Sequence, residues 1–290
     1  MSLLDPEFMR LLRRLQMRVD GRVRSTDRGE RRSRVRGAGG DFVDTRPYAP
    51  GDDLRHLDWH LYARHDQLLV RLYETPRDHA LHVLLDVSAS MALPGKTQYA
   101  AQLAAALGWL ALCSGDQASV TTFSDHVHKR LGPLRGKKVA PRLLRFLDER
   151  HDAPGKGTDL LASVQEFTAV RRRGTAVVIS DFLAADGRVE SLRRLASARV
   201  RVAVLHLLTP EERAPVLGED LTLVDSETGE ELTVQVNARL REAYLARLAA
   251  FTAQLRDTCA GYGFAFVEVS TATPLETLIL GDLRSQGLVG

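Results

Sequence analysis

An apolar run ends in a group of oxygen-bearing side chains near residue 86. The run covers residues 81–85, and Asp86, Ser88 and Ser90 follow it in the pattern Asp-x-Ser-x-Ser. Alternate residues of an extended turn point the same way, so one carboxylate and two hydroxyls would face a common point. Carboxylate and hydroxyl oxygens are hard ligands of the kind that Mg²⁺ or Mn²⁺ binds. The pattern therefore predicts a divalent-cation site.

Two later segments offer further oxygen ligands. Residues 155–159 (Gly-Lys-Gly-Thr-Asp) open a predicted helix and supply the Thr158 hydroxyl, and Asp181 follows a short apolar run at 176–179. In open α/β sheets, ligands bind outside the carboxyl ends of the strands, so we expect Asp86 and Asp181 at one edge. The alternative is that Asp86 and Ser88 cap the next turn without a metal.

The elements that position these residues alternate along the chain from residue 79. Predicted strands lie at 81–86, 118–123, 127–131, 176–179, 200–208 and 264–269, and a hairpin spans 221–236. Predicted helices lie at 97–113, 138–149, 159–170, 190–198, 239–259 and 274–280. This alternation predicts an α/β fold, a doubly wound, mostly parallel, Rossmann-type sheet with helices on both faces, beside a small N-terminal α+β unit.

The first third of the chain differs in composition from the rest. Residues 3–19 have helical apolar spacing, and residues 1–36 carry eleven Arg and five acidic residues, a net charge of +6, whereas the remainder carries −3. We expect a basic helix and arm at 1–36, a small unit at 37–77 and the main domain at 78–290. An arginine run can bind nucleic acid or anionic lipid, and the simpler alternative is a solvated arm.

The small unit is dense in charged and aromatic side chains. His56 and His60 are four residues apart and would share one helix face, a spacing that can bind zinc. The simpler interpretation is that acidic and arginine side chains of residues 52–64 pair with one another, with Trp59 and Tyr62 packed beneath them.

The ligand set resembles the metal-ion-dependent adhesion site of von Willebrand factor A domains, which has Asp-x-Ser-x-Ser, then Thr, then Asp. The resemblance implies that Asp86, Ser88, Ser90 and Thr158 bind Mg²⁺ directly or through water. Asp181 would act through water. Such domains often have Gly after the last Asp, whereas this chain has Phe182.

A longer resemblance covers residues 37–290. Gly39, Arg-Pro-Tyr at 46–48, Gly-Asp-Asp at 51–53, Leu-Asp-Trp at 57–59, Ala-Arg at 63–64 and Leu-Leu-Asp-Val-Ser-Ala-Ser-Met at 84–91 together resemble the bacterial domain-of-unknown-function family fifty-eight. The family is similar to von Willebrand factor A proteins in its C-terminal part. Its members are typically encoded beside MoxR-type AAA+ ATPases, which implies such an ATPase as partner.

Enzyme motifs are incomplete. Residues 93–97 (Leu-Pro-Gly-Lys-Thr) imitate the end of a phosphate-binding loop, but Ser90 stands where that loop needs Gly. No Gly-x-Ser-x-Gly elbow surrounds Ser88. Asp86 and Asp181 with a metal could support hydrolysis, although His82 and His126 would serve as bases only if folding brought them close. We therefore expect a non-enzymatic adaptor that uses Mg²⁺ or Mn²⁺ to bind a protein.

Localisation follows from three further features. The N-terminus lacks the long apolar region of a signal peptide, and the longest apolar stretch, residues 103–113, is too short to span a bilayer. The two cysteines form no metal-ligand spacing, and a reducing compartment is the simplest interpretation of so few cysteines. We expect a cytoplasmic protein with no transmembrane segment and no nucleic-acid partner.

Overall fold

A computed structural model gives the architecture of the chain. It describes residues 3–26, 41–50, 52–74, 79–124, 126–149, 160–168, 174–183, 188–198, 200–216, 220–224, 231–235 and 237–289. Two compact units are present, one made of Met1–Gly21 with His79–Gly290 and the other of Arg22–Asp78.

The elements of the described residues alternate along the chain much as the sequence predicts. The strands are β1 Asp41–Pro47, β2 Leu69–Glu74, β3 Ala80–Asp86, β4 Gln117–Phe123, β5 Val127–Arg135, β6 Thr175–Ser180, β7 Arg201–Leu208, β8 Asp220–Val224, β9 Glu231–Gln235 and β10 Ala265–Ser270. The α-helices are α1 Pro6–Thr26, α2 Trp59–His65, α3 Lys96–Cys113, α4 Ala140–Asp148, α5 Leu160–Thr168, α6 Arg188–Ser197, α7 Pro210–Arg213, α8 Ala238–Gly261 and α9 Leu275–Leu278. Short 3₁₀ helices cover Leu54–His56, Ala89–Ala92 and Lys137–Val139, and a π-helix covers Ile279–Leu283.

Six strands of the larger unit form one sheet in the order β10-β7-β6-β3-β4-β5. All neighbouring pairs are parallel except β4 with β5. From β3 the chain first builds outward through β4 and β5, then returns to the other side of β3 with β6. This is the reversal of strand order beside which open α/β sheets bind ligands. The predicted doubly wound, mostly parallel α/β fold is confirmed.

Both faces of this sheet are buried. Val83, Leu85 and Ile179 lie in the core cluster that includes α1, α3 and α4, whereas Leu84 and Val178 lie in a second cluster with α5, α6 and α8. Successive strand residues point to opposite faces, so each central strand serves both clusters. This explains why β3 and β6 read as continuous apolar runs.

The N-terminal helix belongs to the larger unit over its first four turns. Phe8, Leu12, Leu15 and Val19 recur at helical spacing, and all are buried in the core cluster of α3. The Leu3 backbone N–H also donates to Asp148 at the end of α4, at 2.6 Å. The compact unit thus includes residues 1–21, whereas the predicted boundary fell at residue 36.

The smaller unit contains a two-stranded antiparallel sheet of β1 and β2, and an isolated antiparallel bridge links Leu57 to Val70 of β2. Asp58 caps α2, because its carboxylate accepts the His60 and Leu61 backbone N–H groups, each at 3.1 Å. The combination of sheet and short helices is the predicted α+β unit.

The structure disfavours one alternative for the smaller unit, the zinc site, and contradicts one prediction, the burial of its aromatic residues. His56 lies in a 3₁₀ helix and His60 in α2, so they do not share the face of one helix. Among the described residues no group of three or more His, Cys, Asp or Glu is arranged to bind a metal. The side chains of Trp59 and Tyr62 do not pack beneath the charged groups, because they are 60% and 38% exposed.

The predicted pairing of charges is present in part. Within residues 52–64, Arg55 donates to Asp53 at 2.7 Å, whereas Asp52 accepts from Arg46, which lies outside that range, at 2.5 Å. None of the described helices is both long enough and apolar enough to cross a bilayer.

Candidate functional site

Asp86 lies at the carboxyl end of β3, directly beside the reversal of strand order. Its side chain is buried, and its Oδ1 accepts the Ser88 backbone N–H at 2.9 Å. Its Oδ2 accepts the Ser180 hydroxyl at 2.5 Å. Because Ser180 ends β6, this bond joins the ends of the two strands that flank the reversal. The first and third predicted loops therefore meet at Asp86.

The two serines of the pattern face each other. Ser88 Oγ and Ser90 Oγ are 3.1 Å apart, at the start of the Ala89–Ala92 3₁₀ helix. Two neighbouring oxygens around an octahedral Mg²⁺, each bonded at 2.0–2.1 Å, are separated by about 3 Å. The hydroxyl spacing thus fits two adjacent ligands of such an ion. The turn-capping alternative applies to Asp86, which accepts a backbone N–H, but Ser88 makes no side-chain cap bond.

Asp181 is wholly buried one residue beyond β6. Its Oδ1 accepts the Leu183 backbone N–H at 3.1 Å, and its Oδ2 accepts an N–H of the Lys96 ammonium at 2.7 Å. Both oxygens of Asp181 are thus bonded within the protein, as both oxygens of Asp86 are, and its action on an ion through water stays a prediction.

Phe182 adopts a left-handed backbone conformation, with φ of 54°. That conformation favours glycine, because a side chain adopts it only at a steric cost. Phe182 nevertheless completes the turn: its N–H donates to Ser180 Oγ at 2.9 Å, and its ring is buried. Phe182 therefore holds the left-handed turn that directly follows Asp181.

Lys96 places an ammonium group inside the site. The side chain is fully buried at the first position of α3, after Gly95 in a left-handed conformation. Its Nζ donates to Asp181 Oδ2 and Glu212 Oε1, each at 2.7 Å, and to the Ser90 carbonyl at 3.2 Å. The Leu-Pro-Gly-Lys-Thr segment thus directs its lysine toward protein carboxylates.

The net charge of the site is compatible with a bound divalent cation. Burial first, and then the charge of Asp181, raises the pKa of Asp86 to about 6. When ionised, Asp86, Asp181, Glu212 and Lys96 together carry two net negative charges, the charge that one divalent ion neutralises. The donor set, the charge and the hydroxyl spacing all fit Mg²⁺ or Mn²⁺.

Other predicted residues lie apart from this group or outside the described residues. Thr158 falls in the latter class. His82 is in the middle of β3, where its Nδ1 is 2.7 Å from Ser119 Oγ and its ring packs edge-on against Phe167, so it is a core residue and not a base. The His126 ring lies 4.2 Å from the His128 ring, centroid to centroid, at a tilt of 50°, and His128 Nε2 is 2.6 Å from Ser124 Oγ.

Three residues of the site were missed from the sequence: Lys96, Ser180 and Glu212. The sequence does mark Lys96 as unusual, because it is the one charged residue between Asp86 and Asp116. The sequence also marks Glu212, because Thr-Pro-Glu-Glu at 209–212 matches the capping-box pattern, and the structure shows a capping box there. Neither pattern indicates which distant residue the side chain would meet.

Comparison with solved structures gives three-dimensional similarities of low sequence identity. BatB, a conserved hypothetical protein from Bacteroides thetaiotaomicron, is 16% identical with a TM-score of 0.46, covering 72% of this chain and 98% of that one. The manganese-loaded TRAP protein of Plasmodium vivax is 17% identical with a TM-score of 0.37, covering 44% and 56% respectively.

One of the sequence relatives matches most of the chain, and another matches about half of it. The uncharacterized protein Mb1516 of Mycobacterium bovis is 29% identical over 274 residues, which is 92% of this chain and 86% of that protein. The uncharacterized protein MAV169 of Mycobacterium avium is 32% identical over 145 residues, covering 49% of this chain and 85% of its own. The family model described as "Protein of unknown function DUF58" matches residues 44–254, and the chain belongs to that family.

Proposed function

We propose that this chain is a non-enzymatic, cytoplasmic adaptor that binds a partner protein through a divalent cation. Asp86, Ser88 and Ser90 would bind Mg²⁺ or Mn²⁺, with Thr158 and Asp181 completing the site directly or through water. The partner proposed is a MoxR-type AAA+ ATPase acting in protein assembly or maturation.

One observation carries the proposal: the buried Asp86 carboxylate and the paired hydroxyls of Ser88 and Ser90 meet at the reversal of strand order. Ligands bind at such reversals in open α/β sheets. The Ser180 bond to Asp86 also brings the Asp181 loop to the same point.

A bound Mg²⁺ would bridge the two proteins, since the ion retains exchangeable water positions that a partner carboxylate can take. The chain's own residues supply the frame. Ser180 and the Ser88 backbone N–H orient the Asp86 carboxylate, and Lys96 and the Leu183 backbone N–H orient Asp181.

Calorimetric titration of Mg²⁺ into the full chain and into Asp86→Asn tests the metal site. We expect saturable heat from the wild type and none from the variant, because the substitution removes the charged ligand at nearly constant shape. Glu190→Gln is a suitable control, since it removes a carboxylate from an exposed ion pair with Arg193. Equal heats in all three proteins would contradict the proposal.

The partner is tested by capture of a purified MoxR-type AAA+ ATPase from the same organism. We expect capture with Mg²⁺, loss with EDTA, and loss in Asp86→Asn. Capture that is insensitive to both EDTA and the substitution would place the interface elsewhere. No capture under any condition would remove the ATPase from the proposal while leaving the calorimetric result to decide the metal site.

A further inference from the structure

Lys96 carries a positive charge in surroundings that disfavour one. It is wholly buried, and burying an ammonium is strongly unfavourable unless the group is paired. It also lies in the first turn of an 18-residue helix, where the helix dipole disfavours a cation. The ammonium is therefore held in place by its acceptors, of which two are carboxylates.

Its three N–H groups are all used. They meet Asp181 and Glu212 at 2.7 Å and the Ser90 carbonyl at 3.2 Å. Two of these acceptors belong to the loops of the proposed metal site. Lys96 thus contacts both loops as a cation between them would, but from a covalently tethered position.

Glu212 is fixed independently of Lys96. Its Oε2 accepts the Thr209 backbone N–H at 2.7 Å, and its backbone N–H donates to Thr209 Oγ1 at 3.2 Å, a complete capping box on α7. The Tyr244 hydroxyl of α8 donates to the Glu212 carbonyl at 2.5 Å. The carboxylate is therefore presented to Lys96 by a rigid turn after β7.

We propose that Lys96 is a tethered cation of the metal site, which assembles the Asp86 and Asp181 loops without metal and lowers the affinity of the site for a divalent ion. This inference rests on the proposed function, because it assumes that the ion binds at Asp86. Glu212 partly neutralises Lys96, so the two residues act on the affinity in opposite directions.

The test compares Mg²⁺ affinity by calorimetry, and Mg²⁺-induced rise in Tm, among charge variants of the full chain. Lys96→Met removes the positive charge at similar length, so we expect Mg²⁺ to bind at least roughly tenfold more tightly and to raise Tm more than in the wild type. Glu212→Gln retains a capping side chain but removes a negative charge, so we expect weaker binding than in the wild type.

Thr97→Val is the matched control. It breaks the bond from Thr97 Oγ1 to the Met91 carbonyl, 2.7 Å long, in the same turn, without changing any charge. Its Mg²⁺ affinity should equal that of the wild type. If Lys96→Met does not fold without metal, recovery of folding on adding Mg²⁺ supports the proposal, and the reduced affinity of Glu212→Gln tests it independently.

The outcomes separate the two proposals. Binding to the wild type that is unchanged in both charge variants overturns the role of Lys96 and leaves the proposed function intact. Binding to Lys96→Met but not to the wild type supports the role of Lys96 and overturns Mg²⁺-dependent function in the natural chain. Absence of binding in every variant overturns both.

Discussion

The carboxylates of Asp86 and Asp181 differ in what the sequence could reveal about them. Both follow apolar strand runs, so their position at one sheet edge is predictable from the rule that parallel strands end together. The bond from Asp181 to Lys96 joins residues 85 positions apart and depends on where α3 begins relative to β6. Such a pairing is set by tertiary packing, which local pattern does not encode.

The backbone at Phe182 gives a test at the scale of one residue. Phe182→Ala and Phe182→Gly both remove the buried ring, but only glycine occupies a positive φ without steric cost. We expect both to be destabilised, with the glycine variant more stable than the alanine variant by about 1 kcal/mol. Urea unfolding of the two variants measures the difference. Alanine more stable than glycine, the usual order at negative φ, would contradict this conformation.

Cys259 gives a second test. Burial raises the pKa of its thiol to about 12, so the reactive thiolate does not form until the pH approaches that value. Cys113 is partly exposed. At about pH 8.5 we expect iodoacetamide to modify only Cys113 in the folded chain and both cysteines after unfolding, as read by mass spectrometry. Rapid modification of Cys259 in the folded chain would show that the Cys259 thiol is accessible and not buried.

At the scale of elements, apolar periodicity predicts the central strands and helices well, because their burial imposes it. Polar and proline-containing strands are harder to predict from the sequence, because they lack that apolar periodicity. β1 has the sequence Asp-Phe-Val-Asp-Thr-Arg-Pro and was not predicted; its pairing with β2 defines it. β5 was predicted to end at residue 131 but continues to Arg135 through Gly132 and Pro133, because β5 is an edge strand of the sheet and edge strands tolerate these residues.

Helix α1 gives the test at this scale. Leu12 is fully buried in the shared core and Met17 of the same helix is 64% exposed. Leu12→Ala should lower the free energy of unfolding by roughly 2–5 kcal/mol, because it removes buried methyl groups and leaves a cavity. Met17→Ala is the control and should change it by less than about 0.5 kcal/mol. Similar small effects for both would mean that α1 does not pack on the larger unit.

For the whole molecule, the packing of α1 changes how the arginine-rich segment must be studied. Deleting residues 1–36 would remove Phe8, Leu12 and Leu15 from the core, so loss of any activity would report unfolding. Composition separated the basic end from the rest but could not place the boundary, because the same helix carries apolar core positions and surface arginines.

Replacing the seven arginines of residues 22–36 by glutamine retains those core positions and tests the nucleic-acid and membrane alternatives. The adaptor proposal expects Mg²⁺-dependent ATPase capture to be unchanged, since the residues of the proposed ion site lie in the larger unit. If these arginines instead bind DNA by neutralising its phosphates, the affinity for duplex DNA should fall steeply between about 50 and about 200 mM salt. That binding should be lost in the variant. Fluorescence anisotropy of a labelled duplex, with sedimentation of anionic vesicles in parallel, measures both alternatives. Salt-dependent binding to either ligand that disappears in the variant, together with unchanged metal heats, would assign the basic segment a function separate from the Asp86 site.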